Sequence, residues 1–302
     1  MEEPKKFGVT DLFMLLAVLI WAINFSFIKI ALREFSPLGF NGLRLILASL
    51  MLIIVLLVSK EGFSHVRSNF WKLCILGIIG NTIFQLLFIY GLNWTTASST
   101  SIVMAMTPVF VALLSISIKQ ERLHWAAWMG IFVSFIGFYL VITKQAGNFY
   151  FSWLNLRGIL MIFLGNILWA VYTVFSKPLL EKISPLKLTA VTMAFGAVFY
   201  LPFAAKDIIE IQWVELSFQA WATLIFSALF VLVISYVIWY ASVKRVGNSK
   251  TAIYGNFTPI FTVLFAYIFL SEKITFLQAV GGLIILMGVY LTRSGYRLLE
   301  RR

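Results

Sequence analysis

The chain has 302 residues and a formal charge of +12, yet 61% of it is hydrophobic, 17% aromatic and only 12% charged. A soluble globular domain carries about 25% charged residues, so the composition excludes that class and points to a membrane. The excess of Lys and Arg raises nucleic acid as a partner, but no basic block is interleaved with aromatics in a polar segment, and no nucleic acid is expected.

A helix needs roughly 20 mostly apolar residues to cross a bilayer, and the chain offers such windows at 10–32, 38–58, 70–92, 97–118, 123–143, 156–178, 186–204, 217–242, 248–270 and 275–294. The predicted fold class is an all-α polytopic membrane protein of ten helices. The longest connections, 59–69, 144–155 and 205–216, are too short for a soluble catalytic domain of ~50 residues. Function is therefore expected among the helices. The first window is too long for a signal-peptide core and lacks a small-residue cleavage site, so it is read as a retained anchor.

In chain order, the first window places Trp21, Asn24 and Ile28 on one helical face and Lys29 near its end. The second carries Arg44 seven residues in. The third holds the lone Cys74, read as packing because no second thiol is available, then Asn81, Gln85 and Tyr90. The fourth, uncharged from Ala97 to Ile118, has Pro108 near its midpoint. The sixth carries Asn166, Trp169, Tyr172 and Lys177, the eighth Tyr236, Trp239 and Tyr240, and the ninth Tyr254, Asn256 and Pro259. All but seven of the 24 basic residues fall on the side of the N-terminus; the exceptions are Lys29, Arg33, Arg44, Lys144, Arg157, Lys206 and Lys273. Positive residues concentrate on the cytoplasmic side, so both termini are expected there, as an even number of spans requires. The basic tail, residues 295–302, is read as a topogenic and headgroup anchor.

An internal repeat organises these features. "LIWAINFSFIKIALREFSP" (Leu19–Pro37) aligns with "ILWAVYTVFSKPLLEKISP" (Ile167–Pro185) at an offset of 148. At an offset of 151, Thr107-Pro108 falls on Thr258-Pro259, Glu121 on Glu272, Gly130 on Gly281 and Gly137 on Gly288. Two repeats, 10–143 and 156–294, joined by a linker at 144–155, are expected. Five helices are an odd number, so the second repeat enters from the opposite side, the inverted topology of transporters that alternate between inward-open and outward-open states.

Each proline removes a backbone donor and clashes with the carbonyl four residues back, Met104 and Gly255. The reading adopted is a kink whose freed carbonyl faces a wet central cavity and helps a gate move, because such groups are tolerated only against protein or water. The alternative is a packing feature in which Thr107 and Thr258 re-satisfy the backbone. The duplicated Trp-Ala pair with its following Lys, the mid-helix Thr-Pro, and the segments "KQERLHWAAWMGIFVSFIGFYLV" and "LSEKITFLQAVGGLIILMGVYLT" resemble the EamA-type family of the drug/metabolite transporter superfamily. The resemblance implies a ten-helix transporter with a central cavity, often a small-metabolite exporter, including exporters of amino acids. In it Glu121 and Glu272 match the family's acidic residue before the fifth and tenth helices, and both are read as caps of those helix N-termini.

Candidate substrate-binding residues follow from polarity at depth, since lipid-facing positions should not carry unsatisfied donors: Trp21, Asn24, Asn81, Gln85, Tyr90, Trp169, Tyr172, Tyr240, Tyr254 and Asn256. Pro108 and Pro259 are candidate gating positions. Lys29, Arg44 and Lys177 form a possible charge site, with snorkelling to headgroups the alternative for the two lysines. No Asp or Glu lies in the central part of any window, so the usual carboxylate relay for proton coupling is missing. Exchange, facilitated diffusion, or coupling through Lys or Tyr remain. An enzyme is not expected: His65 and His124 are far apart in loops and no HExxH occurs. No cofactor or metal is expected. A charged rim or carbonyl filter, as in a channel, is not evident. The expected function is secondary transport of small amphipathic metabolites, amino acids or related compounds, out of a prokaryotic cell across its inner membrane. A non-transporting sensor or a structural subunit of a larger complex is the alternative.

Overall fold

The computed structural model describes residues 8–118, 125–146 and 153–300, with the backbone alone for 142–146 and 293–300. Among the described residues the regular structure is wholly helical. In chain order the helices are α1 (Val9–Ala31), α2 (Pro37–Val58), α3 (Arg67–Trp94), α4 (Ala97–Ser117), α5 (Trp125–Ala146), α6 (Trp153–Leu180), α7 (Pro185–Ile209), α8 (Phe218–Val246), α9 (Asn248–Leu270) and α10 (Phe276–Glu300). Eight are long and apolar enough to cross a membrane, and two shorter apolar stretches, Trp125–Val141 and Phe276–Thr292, lie within α5 and α10. The chain is thus a multi-pass integral membrane protein. Residues 295–300, expected as a tail, continue α10, and α7 runs to Ile209, past its expected end.

The repeated Ser-Pro pairs are helix starts. Ser36 Oγ accepts from Gly39 N at 3.1 Å, Ser184 Oγ accepts from Lys187 N at 3.0 Å, and Pro37 and Pro185 occupy the first helical turn. Serine caps and a proline with no donor to lose are favoured there. Glu272 corrects its expected role. It does not cap α10, whose start is closed by Thr275 and Gln278: Thr275 N donates to Gln278 Oε1 at 3.0 Å. Instead the Glu272 carboxylate accepts from Ala97 N (2.9 Å), Ser98 N (3.1 Å) and Ser98 Oγ (2.8 Å), capping α4 from the end of α9. Glu121 lies outside the described residues. Glu34 likewise reaches the start of α8 from a distant part of the chain, accepting from Ser217 N at 2.8 Å and Ser217 Oγ at 2.7 Å.

The two halves meet through reciprocal packing. α5 lies antiparallel on α10, with Gly130 against Gly288 and Gly137 against Gly281. A Cβ on Gly130 would sit 2.4 Å from Gly288 O, and one on Gly281 2.8 Å from Gly137 O, so the backbones approach closely only because side chains are absent. α2 lies antiparallel on α7, with Gly42 against Ala204 and Gly39 against Asp207. α3 packs on α6 and α7, as α8 packs on α1 and α2. Both α3 and α8 widen into a π-helical turn at matching places, Ile78–Ile83 and Ser227–Ser235. In α8 the loosened turn is partly closed by Ser235 Oγ donating to Phe230 O at 2.9 Å.

At Pro108 the structure departs from a simple kink. α4 breaks after Met104, turns through Ala105 and Met106, and restarts at Thr107 with the proline in its first turn. The carbonyl expected to stay open is taken: Asn166 Nδ2 from α6 donates to Val103 O at 3.1 Å and to Met104 O at 3.4 Å. The single Thr107 hydroxyl proton is 2.6 Å from both Met104 O and Asn166 Oδ1 and serves one at a time. In α9 the device differs: a 3₁₀ turn, Ile253–Phe257, precedes Pro259, and Thr258 N donates to Gly255 O. Both carbonyls thus have protein donors. Asn166→Leu removes one donor from each of two buried carbonyls, leaving Met106 N on Val103 O and the Thr107 hydroxyl on Met104 O, and is expected to cost about 1 kcal/mol, lowering the melting temperature in lipid nanodiscs while Ser117→Ala, at the exposed end of α4, leaves it unchanged.

Candidate functional site

The helix interruptions surround one chamber. Its walls come from α1 (Trp21, Asn24, Phe25), α2 (Arg44), α3 (Phe84, Gln85, Phe88), α4 (Met104, Thr107), α6 (Trp169), α8 (Val231, Leu232, Tyr236, Trp239) and α9 (Gly255, Thr258). The free space enclosed by these walls is about 80 Å³, below the ~300–1,000 Å³ common for small-molecule sites, so the chamber is narrow in this conformation. Both halves contribute. Met104 and Thr107 stand at the break in α4, Gly255 and Thr258 at that in α9, and Gln85 and Tyr236 just past the π turns, so each irregular segment is turned toward this space. Irregular turns at membrane depth recur at functional sites.

The walls are aromatic. Trp169 is the hub: its ring lies 5.3 Å from Phe84, 5.0 Å from Tyr236, 5.8 Å from Trp239 and 6.3 Å from Trp21, between centroids. Trp21 and Trp239 are 5.3 Å apart, so the three indoles, tilted at 47° to 90° to one another, form one continuous wall. Phe25 and Phe88 face each other at 5.8 Å. Tilted and edge-to-face pairs at such spacings are favoured by the ring quadrupoles. Beneath Trp169, Tyr172 and Tyr240 stack edge-on at 5.2 Å, Asn81 Nδ2 donates to Tyr172 Oη at 3.4 Å, and Trp239 Nε1 donates to Thr173 Oγ1 at 3.3 Å. Gly80 makes room for the Tyr172 ring, which a Cβ would meet at 2.2 Å. Asn81, Tyr172 and Tyr240 thus form a floor behind the wall.

Polar groups are few. Gln85 Nε2 donates to Tyr236 Oη at 3.0 Å. Asn24 Oδ1, Gln85 Oε1 and Arg44 Nε are buried without a partner. Arg44 is 1% exposed, its Nη1 donating to Asn41 Oδ1 at 3.0 Å and its guanidinium lying 5.6 Å above the Phe40 ring.

Of the residues singled out in the sequence, Trp21, Asn24, Gln85, Arg44 and Trp169 line the chamber, and Asn81, Tyr172 and Tyr240 support it. Five stand elsewhere. Tyr90 stacks on Trp94 at the end of α3. Tyr254 donates to the Asp11 carboxylate, joining α9 to the start of α1. Asn256 faces a second concavity between α9 and α10, with Ile260 and Leu286. Lys29 donates to Asn93 O at 3.2 Å, answering a carbonyl in the last turn of α3, and Lys177 stands beside Gly247 at the corresponding end of α8. The lysines are thus end pieces, and of the three cations only Arg44 faces the chamber. Pro108 and Pro259 begin helical segments beside it. Phe25, Phe84, Phe88, Met104 and Leu232 were not anticipated. Phe84 and Phe88 flank Gln85 at helical spacing, a signal that lipid-facing phenylalanines elsewhere in the chain dilute.

Comparisons with known proteins agree with this architecture. The model of the EamA-like transporter family matches twice, over residues 8–143 and 156–294. An uncharacterized transporter of Archaeoglobus fulgidus is 34% identical over 286 residues, covering 94% of this chain and 97% of its own. The uncharacterized transporter YyaM of Bacillus subtilis is 30% identical over 274 residues, covering 90% and 89%. A solved crystal structure superposes with a TM-score of 0.69 at 20% identity, covering 97% of this chain and 98% of that one, which supports the fold alone. With its duplicated match spanning nearly its whole length, the chain belongs to the EamA-like transporter family.

Proposed function

We propose that the protein is a secondary transporter that exports small amphipathic metabolites, amino acids or related compounds, by alternating access through the central chamber. In this reading ten helices span the prokaryotic inner membrane as two inverted five-helix repeats with both termini cytoplasmic. The observation that carries it is the chamber's composition from both halves, α1 to α4 on one side and α6, α8 and α9 on the other. A site at the repeat interface is reached from either side when the halves rock against each other. The antiparallel, reciprocal contacts of α2 with α7 and α5 with α10 supply the pivots such rocking needs.

The orientation is checked by cysteine labelling of intact cells in a Cys74→Ser background. Asn148→Cys is expected to react with an impermeant maleimide from outside and Ser64→Cys is not; the opposite pattern would reverse the topology. Binding is checked in proteoliposomes loaded with candidate metabolites. Asn24→Leu or Trp169→Ala is expected to lower efflux about tenfold or more, with the protein still monodisperse and inserted, because one removes a polar group of the chamber and the other the hub of its wall. Wild-type rates in both variants would remove the chamber from the transport path.

The gating assignment rests on the breaks at Pro108 and Pro259. Replacing either proline by Ala permits a continuous helix there, and since the halves are inverted the two variants are expected to bias the access states in opposite senses. Spin-label distances across the two mouths of the chamber read this out, a tenfold population change corresponding to about 1.4 kcal/mol. Unchanged distances and rates in both would leave the Thr-Pro pairs as packing features.

A further inference from the structure

Among the described residues Arg44 is the one cation turned into the chamber, and its environment does not explain its presence. The guanidinium is always charged at physiological pH and carries five N–H donors in a planar fork. Its protein partners are a neutral amide oxygen, Asn41 Oδ1, and the face of Phe40, while Nε is buried and unpartnered. Among the described residues no Asp or Glu lines the chamber. A buried charge without a counter-ion is destabilising, so its place is better explained by a ligand than by the fold.

We propose that the chamber binds a carboxylate-bearing substrate of net negative charge with a flat apolar body, its carboxylate on Arg44 and its body on the wall of Trp21, Trp169 and Trp239. The inference rests on the transport reading and narrows it. The fork of Arg44 matches a carboxylate in two parallel hydrogen bonds, and the indole wall gives a planar ring a stacking surface. A substrate ammonium finds no carboxylate in the chamber. It has neutral oxygens, such as those of Asn24 and Gln85, and the indole faces, and it meets the like charge of Arg44, so a zwitterion gains less than an anion and a cation least. The loaded site is then neutral and the empty site positive. With the cell interior negative, inward reorientation of the empty positive site is favoured, and the membrane potential alone drives export of the anion without a coupled ion.

Three probes that share an indole and differ in charge test this: indole-3-acetate, tryptophan and tryptamine, titrated calorimetrically into purified protein in nanodiscs. Indole-3-acetate is expected to bind at least tenfold more tightly than tryptophan, and tryptamine more weakly still. Arg44→Met is expected to abolish that preference and, without ligand, to melt at or above the wild-type temperature, since it removes an unpaired buried charge. Arg44→Lys should keep part of the preference. In vesicles, an inside-negative potential should speed indole-3-acetate efflux severalfold. Failure of indole-3-acetate to bind, equal or tighter binding of tryptophan or tryptamine, or an Arg44→Met protein that keeps the preference or melts well below wild type would overturn the assignment. Binding of indole-3-acetate without movement across vesicles would uphold the anion site and overturn the transport reading. Efflux of tryptophan indifferent to Arg44→Met would do the reverse.

Discussion

In hydrocarbon a backbone N–H or C=O has no water to turn to, and each one left unsatisfied costs several kcal/mol. That constraint sets the terms for every irregular feature of this chain. Continuous helices satisfy it automatically and shape nothing. The chamber is lined where α3, α4, α8 and α9 depart from regular helix, and the departures in α4, α8 and α9 come with their own repairs. Asn166 crosses from α6 to close the break in α4, Ser235 bonds back five residues within the π turn of α8, and Gly255 O is taken by the restarting helix of α9. Even the helix ends obey it: Glu272 reaches back to the first N–H groups of α4, and Lys29 covers a carbonyl in the last turn of α3.

Those repairs also fix the arrangement of the halves. Asn166 ties α6 to α4, Asn81 ties α3 to Tyr172 of α6, and Gln85 ties α3 to Tyr236 of α8, so the polar bonds around the chamber cross between repeats. At the periphery the contacts are of another kind. Gly130, Gly137, Gly281 and Gly288 hold α5 against α10 by close van der Waals approach. Without a hydrophobic driving force in lipid, such close approach and interhelical hydrogen bonds are what bind helices together. Smooth glycine surfaces outside and few directional bonds inside suit halves that move against each other.

Much of this was legible in the sequence because its signals are one-dimensional. Apolar length marks the spans, the 148- and 151-residue offsets mark the duplication, and Ser36-Pro37 and Ser184-Pro185 mark helix starts. What was missed depends on partners distant in sequence. Glu272 precedes α10 and so reads as its cap, yet it bonds α4, some 175 positions away. The π turns leave no composition of their own. Tyr254 and Asn256 are polar residues at depth by every sequence criterion, but the 3₁₀ turn before Pro259 rotates them off the chamber face, and Gly255 between them faces it. Polarity selected residues at depth, and helix phase, which a 3₁₀ or π turn resets, decided which of them face the chamber.

In the anion-binding reading proposed above, Arg44 is where fold and function diverge. Every other buried polar group of the chamber either has a protein partner or is a neutral amide that loses a hydrogen bond at most. A neutral residue of similar length at position 44 would pack on Phe40 and retain the α2–α7 contact made by Gly39 and Gly42, so nothing in the architecture calls for a charge. Proteins carry such stability costs where activity demands them. A site built on a lone cation also differs in kind from one built on a carboxylate. A carboxylate can release its charge by taking a proton, and so couples transport to pH. A guanidinium does not titrate in the physiological range, so its charge must be matched by whatever enters the chamber or be carried through the membrane field unmatched.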